Sequence, residues 1–136
     1  MIYRLCQEDE NETRVNDIAR ALHVKPPSVS KMVNKLKELS LVKCKKYGAI
    51  RLTEKGNEIG EFLIYRHNMV KRFLALLHIE GDIHHEAEKI EHTISKNTLK
   101  GIERLVCFFQ AKPERLDKLL SYEDWGHCEC MKKSKA

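Results

Sequence analysis

The sequence predicts a mainly α fold, an N-terminal winged helix-turn-helix followed by an all-helical region. Three observations carry this expectation. Two short amphipathic helical patterns flank a proline-marked turn between Arg14 and Leu39, a hairpin pattern follows at once, and helical periodicities run from Glu54 to Gln110. At 136 residues the chain suits one compact domain or two small ones sharing a core, so an enzyme of ordinary size is not expected.

The first helix is placed at 14–23, RVNDIARALH, where Val15, Ile18, Ala19 and Leu22 recur at helical spacing and Asn16 or Asp17 is available near the start. After His23-Val24-Lys25, the pair Pro26-Pro27 stops one helix and pre-sets the first turn of the next. That second helix is expected to run to about Leu39 and to bury Val29, Met32, Val33, Leu36 and Leu39. Its other face carries Ser28, Ser30, Lys31, Asn34, Lys35 and Lys37, groups able to contact phosphates and base edges. Two short helices joined by a tight turn, the second basic outside, form a helix-turn-helix.

From Leu41 to Thr53, strand-like runs on both sides of Tyr47-Gly48-Ala49 read as a β-hairpin wing. Lys45, Lys46 and Arg51 near its tip are placed to reach phosphate. The charge distribution agrees: the chain carries a net +5, yet residues 20–55 hold ten basic side chains against only Glu38 and Glu54. A basic block of this density points to nucleic-acid phosphate as partner, with an ordinary solvated basic face as the alternative, and the helix-turn-helix and wing make that partner double-stranded DNA in expectation.

A long amphipathic helix is expected from Glu54 to about His78, broken by Glu80-Gly81-Asp82, then a helix from about Ile83 to Ile94, and a third, capped by Ser95, to about Gln110. Pro113 ends it. These helices have more apolar face than a small monomer can hide, which predicts a helical homodimer interface. The tail from Ser121, with Trp125 and His127-Cys128-Glu129-Cys130, is expected to be poorly ordered, its thiols free and reduced. The five cysteines are odd in number and irregularly spaced, no window approaches the roughly 18 to 20 apolar residues of a membrane span, and no secretory leader pattern opens the chain. A cytoplasmic protein without membrane association is the expectation.

Chemistry concentrates at Glu88, Glu91 and His92. Their i, i+3, i+4 spacing puts two carboxylates and an imidazole on one side of a helix turn, an open metal half-site. A further histidine, His67, interrupts the apolar stripe Ile59, Phe62, Leu63, Val70, Phe73, Leu74, Leu77, and a polar group there needs a partner. Carboxylate and imidazole suit Mn²⁺, Fe²⁺, Co²⁺ or Zn²⁺ without thiolate bias. Zinc peptidase motifs fail: H-x-x-E-H would need histidine at 88, where glutamate stands, and His84-His85-Glu86 lacks its second histidine. The residues by themselves leave open an ordinary ion-pair network, a winged-helix regulator of a small organic ligand, and a metalloenzyme or metal-storage protein.

Four ordered segments resemble the DtxR/MntR metal-dependent transcriptional regulators, most closely the two-domain manganese type: RVNDIARALHVKPPSVSKMVNKL (14–36), YGAIRLTEKG (47–56), IYRHNMVKRFL (64–74) and EKIEHTIS (88–95). The resemblance extends from about Ile2 to Gln110. It implies a non-enzymatic, metal-responsive repressor of metal-uptake genes, built as a winged helix-turn-helix at 1–56, an all-helical dimerisation and metal-binding domain at 57–112, and a C-terminal tail at 113–136. His67, Glu88, Glu91 and His92 match four of the family's metal ligands. Iron-type members usually have cysteine where Glu88 stands, and a carboxylate favours the harder Mn²⁺, with Fe²⁺ as the other candidate.

The resemblance also implies DNA contacts from Pro27, Ser28, Ser30 and Lys31 near bases and from Lys35, Lys45, Lys46 and Arg51 on phosphate, on a palindromic operator. In the family, the metal links the DNA-binding and dimerisation domains, so that metal and DNA affinities are reciprocally coupled. Two departures stand out. The family's first helix supplies an aspartate and a second ligand just upstream of the segment matching Ile2-Tyr3-Arg4-Leu5; the expectation is a true start upstream of Met1, the alternative a coordination completed by water or other residues. Lys71 stands where relatives often have glutamate, which argues against an ancillary metal site built on His67 and His84. The SH3-like domain of the larger iron-type members is not expected in a chain of this length.

Overall fold

The helix-turn-helix forms where the periodicity puts it. The computed structural model describes residues 1–8, 11–45, 48–79 and 81–122, and these fall into two units that divide after Tyr65. The first holds α1 (Ile2–Glu8), β1 (Thr13–Arg14), α2 (Val15–Leu22), α3 (Pro26–Glu38), β2 (Val42–Cys44), β3 (Ala49–Leu52) and the opening turns of α4 (Glu54–Leu76).

Proline at the first position of α3 supplies a preset φ and gives up an N–H that the helix would leave unpaired. At the end of α2, His23 adopts φ 53°, and the backbone N–H groups of His23 and Val24 close onto the carbonyls of Arg20 and Ala19. This turn lets Val29 and Val33, one helical turn apart, pack with Ile18, Ala19, Val42 and Ile50 into a buried core. Met32 and Leu39, expected in that core, are about half exposed. They sit on the margins of the buried stripe, and Met32 instead borders an apolar cleft of about 200 Å³ with Tyr3, Leu36, Leu52, Ile59 and Leu63.

The wing is a three-stranded antiparallel sheet in the order β1-β3-β2. The hairpin β2-β3 was expected, whereas β1 was not: its two residues pair Thr13 with Ile50 and Arg14 with Ala49. On the other side of β3, Val42 faces Leu52 and Lys43 faces Arg51. Strand alternation then sends Thr13, Val42, Ile50 and Leu52 inward and Arg14, Lys43 and Arg51 to the solvent face. Thr53 joins the wing to α4, its hydroxyl donating to the Ser40 carbonyl at 2.7 Å and accepting the Gly56 N–H at 3.0 Å. A Cβ at Gly56 would lie 2.0 Å from the Leu41 carbonyl oxygen, and one at Gly60 would lie 2.4 Å from the Tyr3 ring. The start of α4 therefore packs against the wing root and α1 at glycine-only distances. Among the described residues, no helix is long and apolar enough to cross a membrane.

The second unit comprises the rest of α4, then α5 (Ile83–Glu91), α6 (Lys96–Gln110) and α7 (Pro113–Leu120). Val70 and Leu74 pack with Ala87, flanked by Phe73, Ile83, Ile90 and Ile94. Asp82 caps α5 by accepting the N–H groups of His84 and His85 at 2.9 and 3.2 Å, and Ser95 caps α6 by accepting that of Thr98 at 3.1 Å. The helix expected to reach Ile94 ends at Glu91, because the Thr93 N–H and hydroxyl both turn back to the Ile90 carbonyl. On α6, Leu99, Ile102 and Val106 are buried, whereas Leu105 is 48% exposed. Pro113 ends the run of α6 but also opens α7, a helix the sequence reading left unassigned. The Trp125 and His127–Cys130 expectations lie outside the described residues.

Candidate metal centre and nucleic-acid interface

His67 sits on α4 among Met69, Val70 and Leu74 and is itself 9% exposed. Its need for a partner is met by Glu91 at the end of α5: Nδ1 and the carboxylate Oε2 are 2.9 Å apart, with both side chains nearly buried. Neighbouring ligands of an octahedral ion at ~2.1 Å are separated by ~3 Å, so this pair has the spacing and the chemistry of two adjacent donors for a hard divalent cation. Glu88 and His92, one turn before and one residue after Glu91, are exposed. Of the four sequence-predicted ligands the structure thus joins two, and among the described residues no three His, Cys, Asp or Glu side chains converge as a complete site. The donor types present fit a transition-metal ion. Beside them the His84 ring lies 5.8 Å from that of His67, and its Nε2 is 2.9 Å from the Lys71 ammonium.

On the first unit, Pro27, Ser28, Ser30, Lys31 and Lys35 are all exposed on α3. Ser30 donates its hydroxyl to the Pro26 carbonyl at 3.1 Å, which leaves its oxygen lone pairs outward as acceptors. Lys45 and Arg51 lie on the wing and share one partner: the Lys45 ammonium is 2.8 Å from Glu12 Oε1, and the Arg51 guanidinium pairs with the same oxygen. Glu12 is held below the usual carboxylate range, chiefly by the Lys45 hydrogen bond, which outweighs the opposing desolvation, with the Arg51 guanidinium adding in the same direction. Sequence reasoning missed Glu12. Its signal was the triplet Glu12-Thr13-Arg14, an alternation too short to announce a strand. Lys46 lies outside the described residues.

A recognition helix with a basic wing, followed by helices that carry a buried histidine–carboxylate pair, defines a winged-helix DNA-binding regulator with a metal-binding helical domain. The particular family is equally clear. The chain belongs to the iron-dependent repressors: residues 1–50 match the family's N-terminal DNA-binding domain, and residues 53–120 match its metal-binding and dimerisation domain. It is 43% identical over 119 residues to the HTH-type transcriptional regulator MntR of Geobacillus thermodenitrificans, covering 87% of this chain and 84% of that one. Against MntR of Bacillus subtilis it is 39% identical over 123 residues, with 90% and 86% covered. Among solved structures, the manganese regulator SloR aligns with a TM-score of 0.62 and 33% identity over 89% of this chain, and ScaR with bound Zn²⁺ with 0.66 and 29% over 77%. This chain spans 51% of the length of each of those two.

The protein is therefore a metal-dependent DNA-binding transcriptional regulator and not an enzyme. It carries a divalent metal, and its dimerisation domain makes it a DNA-binding homodimer. Membership decides among the alternatives that residue chemistry alone left open.

Proposed function

We propose that the chain is a manganese-responsive repressor of metal-uptake genes that works in the cytoplasm, with His67, Glu88, Glu91 and His92 as its metal donors. The observation that carries this is the buried His67–Glu91 pair, 2.9 Å between donor atoms. Burying an imidazole and a carboxylate among apolar helices is costly unless they are paired or coordinate a metal, and a bound cation would offset that cost further. Glu88 in place of a thiolate keeps the donor set hard, which favours Mn²⁺ over softer ions and leaves Fe²⁺ as the nearest competitor. The similar manganese regulator SloR supports the same metal.

The functional division we infer assigns residues 1–56 to DNA reading, 57–112 to the metal and the dimer, and 113–136 to a tail. As a dimer with two recognition helices, the protein suits a palindromic operator. Pro27, Ser28, Ser30 and Lys31 would stand near base edges, and Lys35, Lys45, Lys46 and Arg51 at phosphate. When bound, the ion would neutralise the carboxylates and fix His67 and Glu91 in one arrangement. Stabilising a single arrangement of the dimer couples metal and DNA affinities reciprocally.

Operator binding in Mn²⁺, in Fe²⁺ and with chelator tests this reading. Binding that tightens at least tenfold in Mn²⁺ (about 1.4 kcal/mol of coupling) is expected, and binding indifferent to chelator would sink it. His67→Leu separates metal from packing. An apolar residue in place of one member of the pair should lose the Mn²⁺-dependent stabilisation, about 2.7 kcal/mol at a hundredfold excess over Kd, and with it the rise in melting temperature.

A further inference from the structure

Among the described residues, the charged side chains on the solvent face of the wing are basic apart from Glu12. Arg14, Lys43, Lys45 and Arg51 alternate outward from its three strands, and continuing the β1–β3 register by one residue sets Glu12 directly opposite Arg51. Lys45 reaches the same carboxylate from the far strand, so one oxygen of Glu12 holds two cations across the full width of the sheet. Glu12 has no role in the core: its side chain is 32% exposed, on the side of the sheet away from Ile18 and Val29.

We propose that Glu12 is a built-in counter-charge of the wing, occupying Lys45 and Arg51 in the free protein and lowering their attraction for DNA phosphate. The inference rests on the wing facing DNA, as read above. Sequence-independent affinity is set by the number of phosphates neutralised, because each one releases condensed counterions. Two cations that share a carboxylate count as one. This holds whether Glu12 stays paired in the complex or is displaced and takes up a cation from solution, since the net charge is the same. A weaker non-specific background leaves more of the protein free to find its operator, where base contacts from α3 add what the wing gives up. Exposed ion pairs of this kind add little to folding, so the carboxylate can serve affinity without being needed for stability.

The test compares the full-length wild type with Glu12→Gln, which keeps the shape and removes the charge, and with Glu12→Lys. Binding to an operator duplex and to a random duplex is measured in Mn²⁺ across a salt series. In Glu12→Gln, the slope of log affinity against log salt should steepen by about 0.9 per wing, roughly twice that per dimer, with affinity for both duplexes rising on the order of tenfold or more near 0.1 M salt. Glu12→Lys should go further in the same direction. Weakened binding in Glu12→Gln with an unchanged melting temperature would overturn the proposal, because Glu12 would then be holding the two cations in place for phosphate. An unchanged slope in both variants would also overturn it while leaving the regulator reading intact. A wild type that binds no duplex, with or without metal, overturns both.

Discussion

Lys71 Nζ stands 2.9 Å from Nε2 of His84, one turn along α4 from His67. An ammonium has only donors to offer, so the contact uses the His84 Nε2 lone pair and requires the tautomer that carries its proton on Nδ1. It also sets a fixed positive charge beside the His67–Glu91 pair. Both effects oppose a second cation there.

A change in metal count should follow from that contact. Lys71→Glu exchanges the ammonium for a carboxylate beside His84 and is expected to raise the number of Mn²⁺ ions bound per chain. Lys71→Met removes the charge without adding a donor and should leave the count at its wild-type value. Equilibrium dialysis with metal analysis reads both, and equal counts in all three proteins would show that Lys71 does not control occupancy.

The glycines of α4 give a prediction about packing. At Gly56 the obstacle is the Leu41 backbone carbonyl, which cannot swing away, whereas at Gly60 it is the side chain of Tyr3. Gly60→Ala should therefore cost about 1 to 3 kcal/mol through overpacking, and much of that loss should return in the double variant with Tyr3→Ala. No side-chain truncation should rescue Gly56→Ala. Chemical denaturation of the four proteins measures the coupling directly.

Acid sensitivity should be visible at Asp82. Its carboxyl is held below the ordinary aspartate range, first by the His85 backbone N–H and, against desolvation, by that of His84, with the two imidazoles contributing when charged. A depressed folded pKa means that the cap's contribution is complete above the unfolded value and disappears as pH falls through the folded one. Asp82→Ala should melt earlier than wild type at pH 7, and the gap should close as the pH drops below about 4. A gap that persists unchanged into strong acid would assign the effect to something other than the carboxylate.

Much of this was legible in the sequence because the signals are local. Val29 and Val33 stand out by helical spacing, Ser95 by its place before an apolar run, and His67 as the one polar residue in an apolar stripe. That the i, i+3, i+4 cluster offers donors was legible too, but that Glu91 is the member touching His67 was not, because it depends on how α4 and α5 pack. What escaped was non-local or ambiguous. Glu12 acquires its meaning from β1, two residues long, whose pairing with β3 has no periodicity to betray it. Pro113 stops one helix and starts another, and the sequence shows the stop more plainly than the start. Met32 and Leu39 follow the right period, yet they lie at the edge of an apolar arc whose width only tertiary packing sets.

The Thr53 hydroxyl, donor to Ser40 and acceptor from Gly56, makes one oxygen atom the joint between the loop that follows the recognition helix and the first turn of the helix that bears His67. Thr53→Val, nearly identical in volume, would cut both bonds with a single-atom exchange. Beside the close packing at Gly56, one lone pair and one proton thus tie the end of the recognition-helix segment to the first turn of α4.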